Sequence, residues 1–180
     1  MGLELERVGD LGRERYVVYS GAARLGVIAH VSRFGEKPWW WWAITHLLFE
    51  NGYGAGGRAE TLAAALSGIT ARWREWIALA GLQEGEAVAA EVKGLRLQRR
   101  RDVEWEGYFV RAGAWALGGI SREYCARSEW FIWSITGIYV SGDGHGLSHG
   151  RGDTLEEAKA GLADRWRWWL GHAGLREVVT

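Results

Sequence analysis

Apolar and charged residues alternate over residues 3–7, and the same alternation returns over residues 95–99. An alternation of period two predicts a strand with one buried face. Stretches rich in aromatic and β-branched residues follow each alternation, and turn glycines at Gly21 and Gly113 divide them, which predicts a hairpin in each half of the chain. The predicted hairpin strands are residues 16–19 with 25–28, and residues 108–111 with 117–120.

A tryptophan-rich stretch over residues 39–49, matched by residues 130–140, predicts the fourth strand of each half. Side chains alternate between the two faces of a strand. One face is large and apolar in both halves, so we expect it to contact a helix; it carries Trp40, Trp42 and Ile44, matched by Phe131, Trp133 and Ile135. The other face is mixed, with Trp39 and Trp130 beside it, and we expect it to be open or to face the other half of the chain.

A glycine-rich stretch, predicted to be a loop, leads in each half to a helix with an apolar stripe at spacings of three and four. Thr61 and Thr154 are predicted to cap the helix starts, with Glu157 completing a capping box in the second helix. Gly81 and Gly174 are predicted to cap the helix ends. The stripe residues are Leu62, Ala65, Ile69, Trp73, Trp76, Ile77 and Ala80, matched by Leu155, Ala158, Leu162, Trp166, Trp169, Leu170 and Ala173.

The chain therefore contains one unit twice, at an offset of 94 − 2 = 92 near its start and 154 − 61 = 93 in the helices. The predicted fold class is α+β, a tandem repeat of a four-stranded antiparallel sheet followed by one helix (ββββα twice) about a pseudo-twofold axis. The predicted boundaries are 1–82 for the first repeat, 83–93 for a polar connector with some helix around residues 86–91, and 94–180 for the second repeat. A sheet with one helix leaves its second face uncovered, so we expect the copies to meet through those faces, in a monomer with pseudo-dimeric repeats or in a homo-oligomer.

Composition narrows the classes of function. Lysine and arginine number 22, aspartate and glutamate number 22, and the formal net charge is +0, so no strong field attracts a polyanion. Cys125 is the single cysteine, the first residues lack a secretory signal, and the apolar run over residues 39–49 is shorter than a membrane helix. We expect a cytoplasmic protein with no membrane partner.

Catalytic chemistry has few candidate residues. His145 and His149 lie near Asp143, but the first repeat has no matching pair, so we expect a solvated loop and no metal. Cys125 has no repeated serine or histidine partner and is interpreted as a small apolar residue. No catalytic residue and no cofactor is predicted; a small metal- or thiol-dependent enzyme is the second alternative.

Tryptophan, tyrosine and arginine are the residues that dominate the energetics of protein interfaces. Six tryptophans are assigned to the core, namely Trp42, Trp133, Trp73, Trp76, Trp166 and Trp169. Copy-specific aromatics, together with Trp130 and the one basic run, are candidates for contact with a partner: Trp39, Trp41, Trp115, Tyr124, Trp130, Arg99, Arg100 and Arg101. The function predicted from them is non-enzymatic binding of another protein through an aromatic and arginine surface.

Binding of single-stranded DNA or RNA by the aromatic sheet face is the first alternative, since exposed rings can stack on bases. The plan of four strands and then a helix, used twice, is similar to that of Whirly proteins and purine-rich-element-binding proteins, and this resemblance of plan implies single-strand binding. The repeated arginines have a competing interpretation, in which they flank the helix tryptophans and stack on them.

Each repeat also resembles short, uncharacterised tryptophan-rich proteins of bacteria and their phages. The matching residues are Trp130 to Trp133, Thr154 to Ala158 and Trp166 to Leu170. This resemblance carries no activity with it. It implies an accessory or inhibitor of a phage or mobile element that acts by touching another protein.

Overall fold

The computed structural model describes residues 2–9, 14–47, 55–85, 94–101, 104–125, 128–138 and 148–178. We call residues 2–85 the first repeat and residues 94–178 the second repeat. The first repeat contains β1 (Glu4–Arg7), β2 (Arg15–Ser20), β3 (Ala23–Val31), β4 (Trp39–Ile44), β5 (Gly56–Ala59), α1 (Leu62–Leu79) and β6 (Leu82–Glu84). The second repeat contains β7 (Leu95–Arg99), β8 (Gly107–Ala112), β9 (Trp115–Cys125), β10 (Ser128–Ile135), β11 (His149–Gly152), α2 (Leu155–Ala173) and β12 (Leu175–Glu177).

The fold is α+β with antiparallel sheets, as predicted, but each repeat has more strands than four. Strands β1 to β5 form one five-stranded meander, β7 to β11 form a second, and β6 pairs with β12 in a separate two-stranded sheet. The prediction of ββββα twice is therefore wrong in detail. Each repeat has the order βββββαβ over the described residues, and the connector predicted over residues 83–93 begins inside β6.

The fifth strand was missed because its glycines were interpreted as a loop. Glycine occupies these strand positions because the neighbouring tryptophan leaves no room for a side chain. A Cβ at Gly57 in β5, or at Gly68 in α1, would lie 2.8 Å from the indole of Trp42. In the second repeat a Cβ at Gly150 would lie 2.5 Å from the Trp133 indole, and one at Gly161 would lie 2.6 Å from it. Each of these indoles thus fills a slot between the last strand of its sheet and the helix.

The two helices begin and end close to the predicted residues. The hydroxyls of Thr61 and Thr154 accept hydrogen bonds from the N–H groups three residues later, at 3.1 and 3.2 Å. Glu157 accepts a hydrogen bond from the N–H of Asp153 at 2.7 Å, one residue before the partner that a capping box requires. Gly174 caps α2 in the left-handed conformation, whereas α1 is capped by Ala80, with the left-handed glycine following it.

The repeats meet about a pseudo-twofold axis that the strand registers reveal. In the β6–β12 pair, Gln83 lies opposite Arg176, its equivalent at an offset of 176 − 83 = 93. An isolated bridge joins Leu47 to Ile138, which are equivalent at the offset of 133 − 42 = 91 that aligns Trp42 with Trp133. Two such self-matching contacts fix the axis between the repeats.

Each repeat also supplies the hairpin turn that satisfies the end of the other helix. The N–H of Ala22 donates to the carbonyl of His172 at 2.8 Å, and the N–H of Ala114 donates to the carbonyl of Leu79 at 2.9 Å. The carbonyls at the end of a helix have no partner within the helix. The exchange of turns therefore ties the repeats together reciprocally.

The shared core is built on tryptophans from both helices. Trp73 stacks on Trp76 at 5.0 Å between ring centroids, Trp166 stacks on Trp169 at 5.3 Å, and Trp76 meets Trp169 edge to face at 5.7 Å. These residues belong to one apolar cluster that spans both repeats. The copies thus meet through the helix side of their sheets, and the prediction that they meet through the second sheet faces is wrong. The tryptophans of both helices lie in this one apolar cluster.

The second repeat differs from the first at the centre of this core. Trp115 packs 4.9 Å from Trp76 and 6.3 Å from Trp166, whereas its equivalent at 115 − 92 = 23 is Ala23. A Cβ on Gly137 would collide with the Trp115 indole, whereas the equivalent at 137 − 91 = 46 is His46. The two substitutions compensate: a large residue faces a glycine in one repeat, and an alanine accompanies a histidine in the other.

Candidate partner-binding surface

The face of each sheet that points away from the helices, which we call the outer face, carries several of the predicted partner-binding residues. Trp42 contacts its helix, so Trp39 and Trp41, odd-numbered on the same strand, lie on the outer face. Trp41 is 39% exposed and Trp39 is half-buried. Trp130 is half-buried at the equivalent place in the second repeat, and Ile132 stands where Trp41 does.

An arginine from the neighbouring edge strand covers the tryptophan in both repeats. The Arg58 guanidinium lies 4.4 Å from the Trp39 ring centroid, and the Arg151 guanidinium lies 4.5 Å from that of Trp130. Both arginines follow the offset of 151 − 58 = 93. These are cation–π contacts of repeated arginines, but the rings belong to strand tryptophans and not to helix tryptophans. On the helices, the Arg165 guanidinium lies 4.0 Å from the Trp168 ring centroid.

The outer face is more open in the second repeat. Phe109 is 40% exposed, whereas its equivalent at 109 − 92 = 17, Val17, is 4% exposed. Glycine and serine continue the row beside Phe109, at Gly119 and Ser134. A partner therefore has access to an aromatic ring on the second repeat that the first repeat does not offer.

The predicted basic run lines an open groove beside that ring. The groove has a volume of about 510 Å³, and we call it the β7 groove; it is lined by Gln98, Arg99, Arg100, Arg101 and Phe109. Arg100 lies 4.9 Å from the ring centroid of Phe109 and 5.3 Å from that of Trp105, which is 42% exposed. The groove follows β7, which pairs only with β8 in the described part of the chain.

A further arginine contact involves Tyr124, which is 61% exposed. Arg122 lies 5.2 Å from the Tyr124 ring centroid and forms ion pairs with Glu106, at 3.3 Å, and with Glu129. The hydrogen bond to Glu129 raises the pKa of Arg122. Arg122 therefore already pairs with two carboxylates beside the Tyr124 ring.

One tyrosine in each repeat donates a hydrogen bond to a glutamate, although the two bonds are not at equivalent positions. Tyr19 donates to Glu6 at 2.8 Å and Tyr108 donates to Glu106 at 2.6 Å, and each hydrogen bond raises the pKa of its tyrosine. Both groups stay protonated at neutral pH, so the tyrosines act here as hydrogen-bond donors.

Trp115 was assigned to the partner surface, and the structure places it in the core, at 4% exposure. Its presence in one repeat was interpreted as a sign that the fold does not need it. Instead, the Trp115 ring packs in the core against Trp76 of α1 and Trp166 of α2. Of the six tryptophans assigned to the core, Trp73, Trp76 and Trp166 are 0% exposed, and the rest are as follows: Trp169 4%, Trp133 9%, and Trp42 half-buried.

Sequence reasoning missed two rings of the surface and undervalued two arginines. Trp105 and Phe109 are single-copy aromatics, the criterion applied to Trp39 and Trp41. Phe109 was assigned to the uncovered sheet face, but neither residue was included among the candidates for contact with a partner. Arg58 and Arg151 recur at a fixed offset, but the sequence did not show that each lies over a tryptophan of the neighbouring strand. The strand register supplies that contact.

No group of three histidine, cysteine, aspartate or glutamate side chains is placed to hold a metal among the described residues, and His145 and Asp143 lie outside those residues. Cys125 is exposed at the end of β9. Burial, with the nearby Arg24, lowers the pKa of His46. In the part of the chain that the structure describes, no helix is long and apolar enough to span a bilayer.

Comparison with known proteins adds no relative to this picture. No family model matches the chain, and neither the curated proteins nor the solved structures contain a match to it.

Proposed function

We propose that the protein binds another protein, and that it does so by accepting an extended acidic segment along β7 and its groove. The observation that carries the proposal is the basic, aromatic groove along β7, an edge strand that pairs only with β8 among the described residues. The basic run occurs in the second repeat only, since residues 7–9 are Arg-Val-Gly. An extended peptide adds to such an edge through main-chain hydrogen bonds, while side-chain contacts give specificity.

Arginines lie on both sides of β7, Arg96 and Arg100 on the outer face and Arg99 on the helix side, so carboxylates on either side of such a segment meet an arginine. Residues 95–101 contain four arginines and no acidic residue, which gives a charge of +4. The side chain of Arg99 is exposed in β7, and Arg101 is exposed just after it. Arginine forms paired hydrogen bonds with carboxylates, and an arginine held over an aromatic ring keeps its orientation for that purpose.

Single-strand binding is favoured less by the same surface. Stacking of bases requires ring faces that are accessible, and Trp39, Trp130 and Phe109 each have an arginine over the ring. The net charge of +0 over the chain also supplies little of the electrostatic attraction on which nucleic-acid affinity depends. The resemblance to short phage and bacterial proteins adds a role to the proposal: occlusion of a partner's acidic segment by an accessory or inhibitor protein.

The test is fluorescence anisotropy with a labelled octapeptide that alternates glutamate with valine. We expect binding at low salt, and no binding of the same peptide with lysine in place of glutamate. Arg99→Glu should weaken binding about tenfold, which corresponds to about 1.4 kcal/mol. Arg7→Glu makes the same charge change at the equivalent position of the first repeat, 99 − 92 = 7, and should change affinity by less than about twofold.

Two outcomes contradict the proposal. Equal effects of Arg99→Glu and Arg7→Glu would mean that binding does not use the β7 groove. Binding of labelled oligothymidylate, with a steep dependence on salt and loss in Arg99→Glu, in the absence of peptide binding, would assign the groove to nucleic acid instead.

A further inference from the structure

Each five-stranded sheet ends at a strand that has no second neighbour. In the described part of the chain β1 pairs only with β2, and β7 pairs only with β8. The two strands are equivalent under the pseudo-twofold axis, at an offset of 95 − 3 = 92. An unpaired edge strand is a template for another strand.

The two edges carry net charge of opposite sign. Glu4 stands where the second repeat has Arg96, and Glu6 stands where it has Gln98. Residues 3–9 contain two glutamates and one arginine, 1 − 2 = −1, against +4 for residues 95–101. An edge that carries charge of one sign repels the same edge of a second molecule. The opposite net charges of the β1 and β7 edges favour pairing of β1 with β7.

The apolar sides of the two edges also match. Leucines lie on the helix side of both strands, and they are only partly buried there: Leu3 and Leu5 on or beside β1, Leu95 and Leu97 on β7. Leu97 is 37% exposed. Antiparallel pairing of β1 with β7 from another molecule, with Leu5 opposite Leu97, would place Glu6 opposite Arg96 on the outer side of both strands. Glu4 would then lie opposite Gln98 and diagonal to Arg96 and Arg100.

From these matches we infer that a second copy of this chain docks its β1 edge on the β7 edge. The inference rests on the proposed function, since β1 supplies the extended acidic segment that the groove accepts. It adds a regulation to that site, because self-association and binding of an acidic partner exclude each other. The contact joins two different edges, β1 of one molecule and β7 of the other, and is therefore heterologous. Each molecule of such a pair keeps one edge that can bind a further copy.

The first test is sedimentation velocity at about 0.05 M and about 1 M salt, with protein up to about 1 mM. At low salt the weight-average mass should rise above the monomer value of 20.1 kDa with concentration, and at high salt it should return towards that value. The glutamate–valine octapeptide should also return the mass to 20.1 kDa by competition for β7.

Charge-reversed variants identify the edges. The chain with Glu4→Lys and Glu6→Lys should be monomeric alone, and so should the chain with Arg96→Glu and Arg100→Glu. A mixture of the two variants should associate, because each basic edge then meets an acidic one. A control with Glu75→Lys and Glu156→Lys, which makes the same charge change on the helices, should associate like the unmodified chain.

A mass of 20.1 kDa at every concentration in low salt would overturn the inference, and so would a mixture of variants that stays monomeric. The proposed function has a separate readout. The chain with Glu4→Lys and Glu6→Lys keeps its β7 groove and should still bind the octapeptide. An unmodified chain that binds the octapeptide but stays monomeric at every concentration would refute only the inference, whereas an unmodified chain that does not bind the octapeptide would refute the proposed function.

Discussion

The exchange of Trp115 and Gly137 for the residues of the first repeat is the sharpest test of how the core is matched. Trp115 is 4% exposed and contacts Trp76 and Trp166. Trp115→Ala should therefore lower the free energy of unfolding by about 3–5 kcal/mol. At about 2–4 °C per kcal/mol for a chain of this size, Tm should fall by about 6–20 °C.

Gly137→His alone should also destabilise, by about 1–3 kcal/mol, because its Cβ collides with the Trp115 indole. The double variant recreates the pair Ala23 and His46. The backbone can accept it: the N–H groups of His46 and Gly137 both donate to equivalent leucine carbonyls, at 3.2 and 2.9 Å. We expect the double variant to be about 1–3 kcal/mol more stable than the sum of the single effects predicts.

The assay is urea unfolding of the four chains, with Tyr124→Ala as a control at an exposed position. The control should change the free energy of unfolding by less than about 0.5 kcal/mol. Additive effects in the double variant would refute the claim that Trp115 and Gly137 compensate for each other.

Three further predictions concern local features. Gly161→Ala should destabilise the fold, because the new Cβ would lie 2.6 Å from the Trp133 indole. In an exposed helix the same substitution would stabilise by about 1 kcal/mol. Thermal unfolding checks this prediction, with Ser67→Ala at an exposed position as the control. The lowered pKa of His46 means that the unfolded chain binds its proton first, so the free energy of unfolding should fall as pH drops below about 6.5. His46→Gln should flatten that acid-side slope in urea titrations at several pH values, and an unchanged slope would contradict the assignment. Thr154→Ala should cost about 1 kcal/mol through loss of its cap, and no loss in helicity-monitored unfolding would contradict the bond to Glu157.

The helices were predictable from the sequence because their apolar stripe is long and occurs twice. Every spacing from Ala158 to Ala173 matches one buried face, and the structure buries those residues. The first four strands were predictable for a similar reason, since each combines alternation or β-branched residues with its equivalent in the other repeat.

The short strands were not predictable from local pattern. Strand β5 has the sequence Gly-Gly-Arg-Ala and β11 has His-Gly-Arg-Gly, which carry no apolar alternation. Their glycines make room for Trp42 and Trp133, a contact that only the tertiary structure reveals. Strands β6 and β12 are three residues long and pair across the repeats, so their partner is 93 residues away at 176 − 83.

The contact between repeats was misassigned because apolar side chains occur on both faces of each sheet. The sequence does not reveal which face is covered, and the outer face of the first sheet, with Val17 and Trp41, is as apolar in composition as the helix side. The candidate surface was predicted in part: Arg99, Arg100 and Arg101 form one groove, whereas their aromatic neighbours depend on strand register.

The most direct test of the central claim, one core shared by two repeats, is cleavage of the chain between them. A protease site placed within residues 86–93 and cut to completion should leave two halves that remain together, with a native mass near 20.1 kDa and a single unfolding transition. Halves that separate on cleavage, or that unfold in two independent transitions, would contradict the shared core.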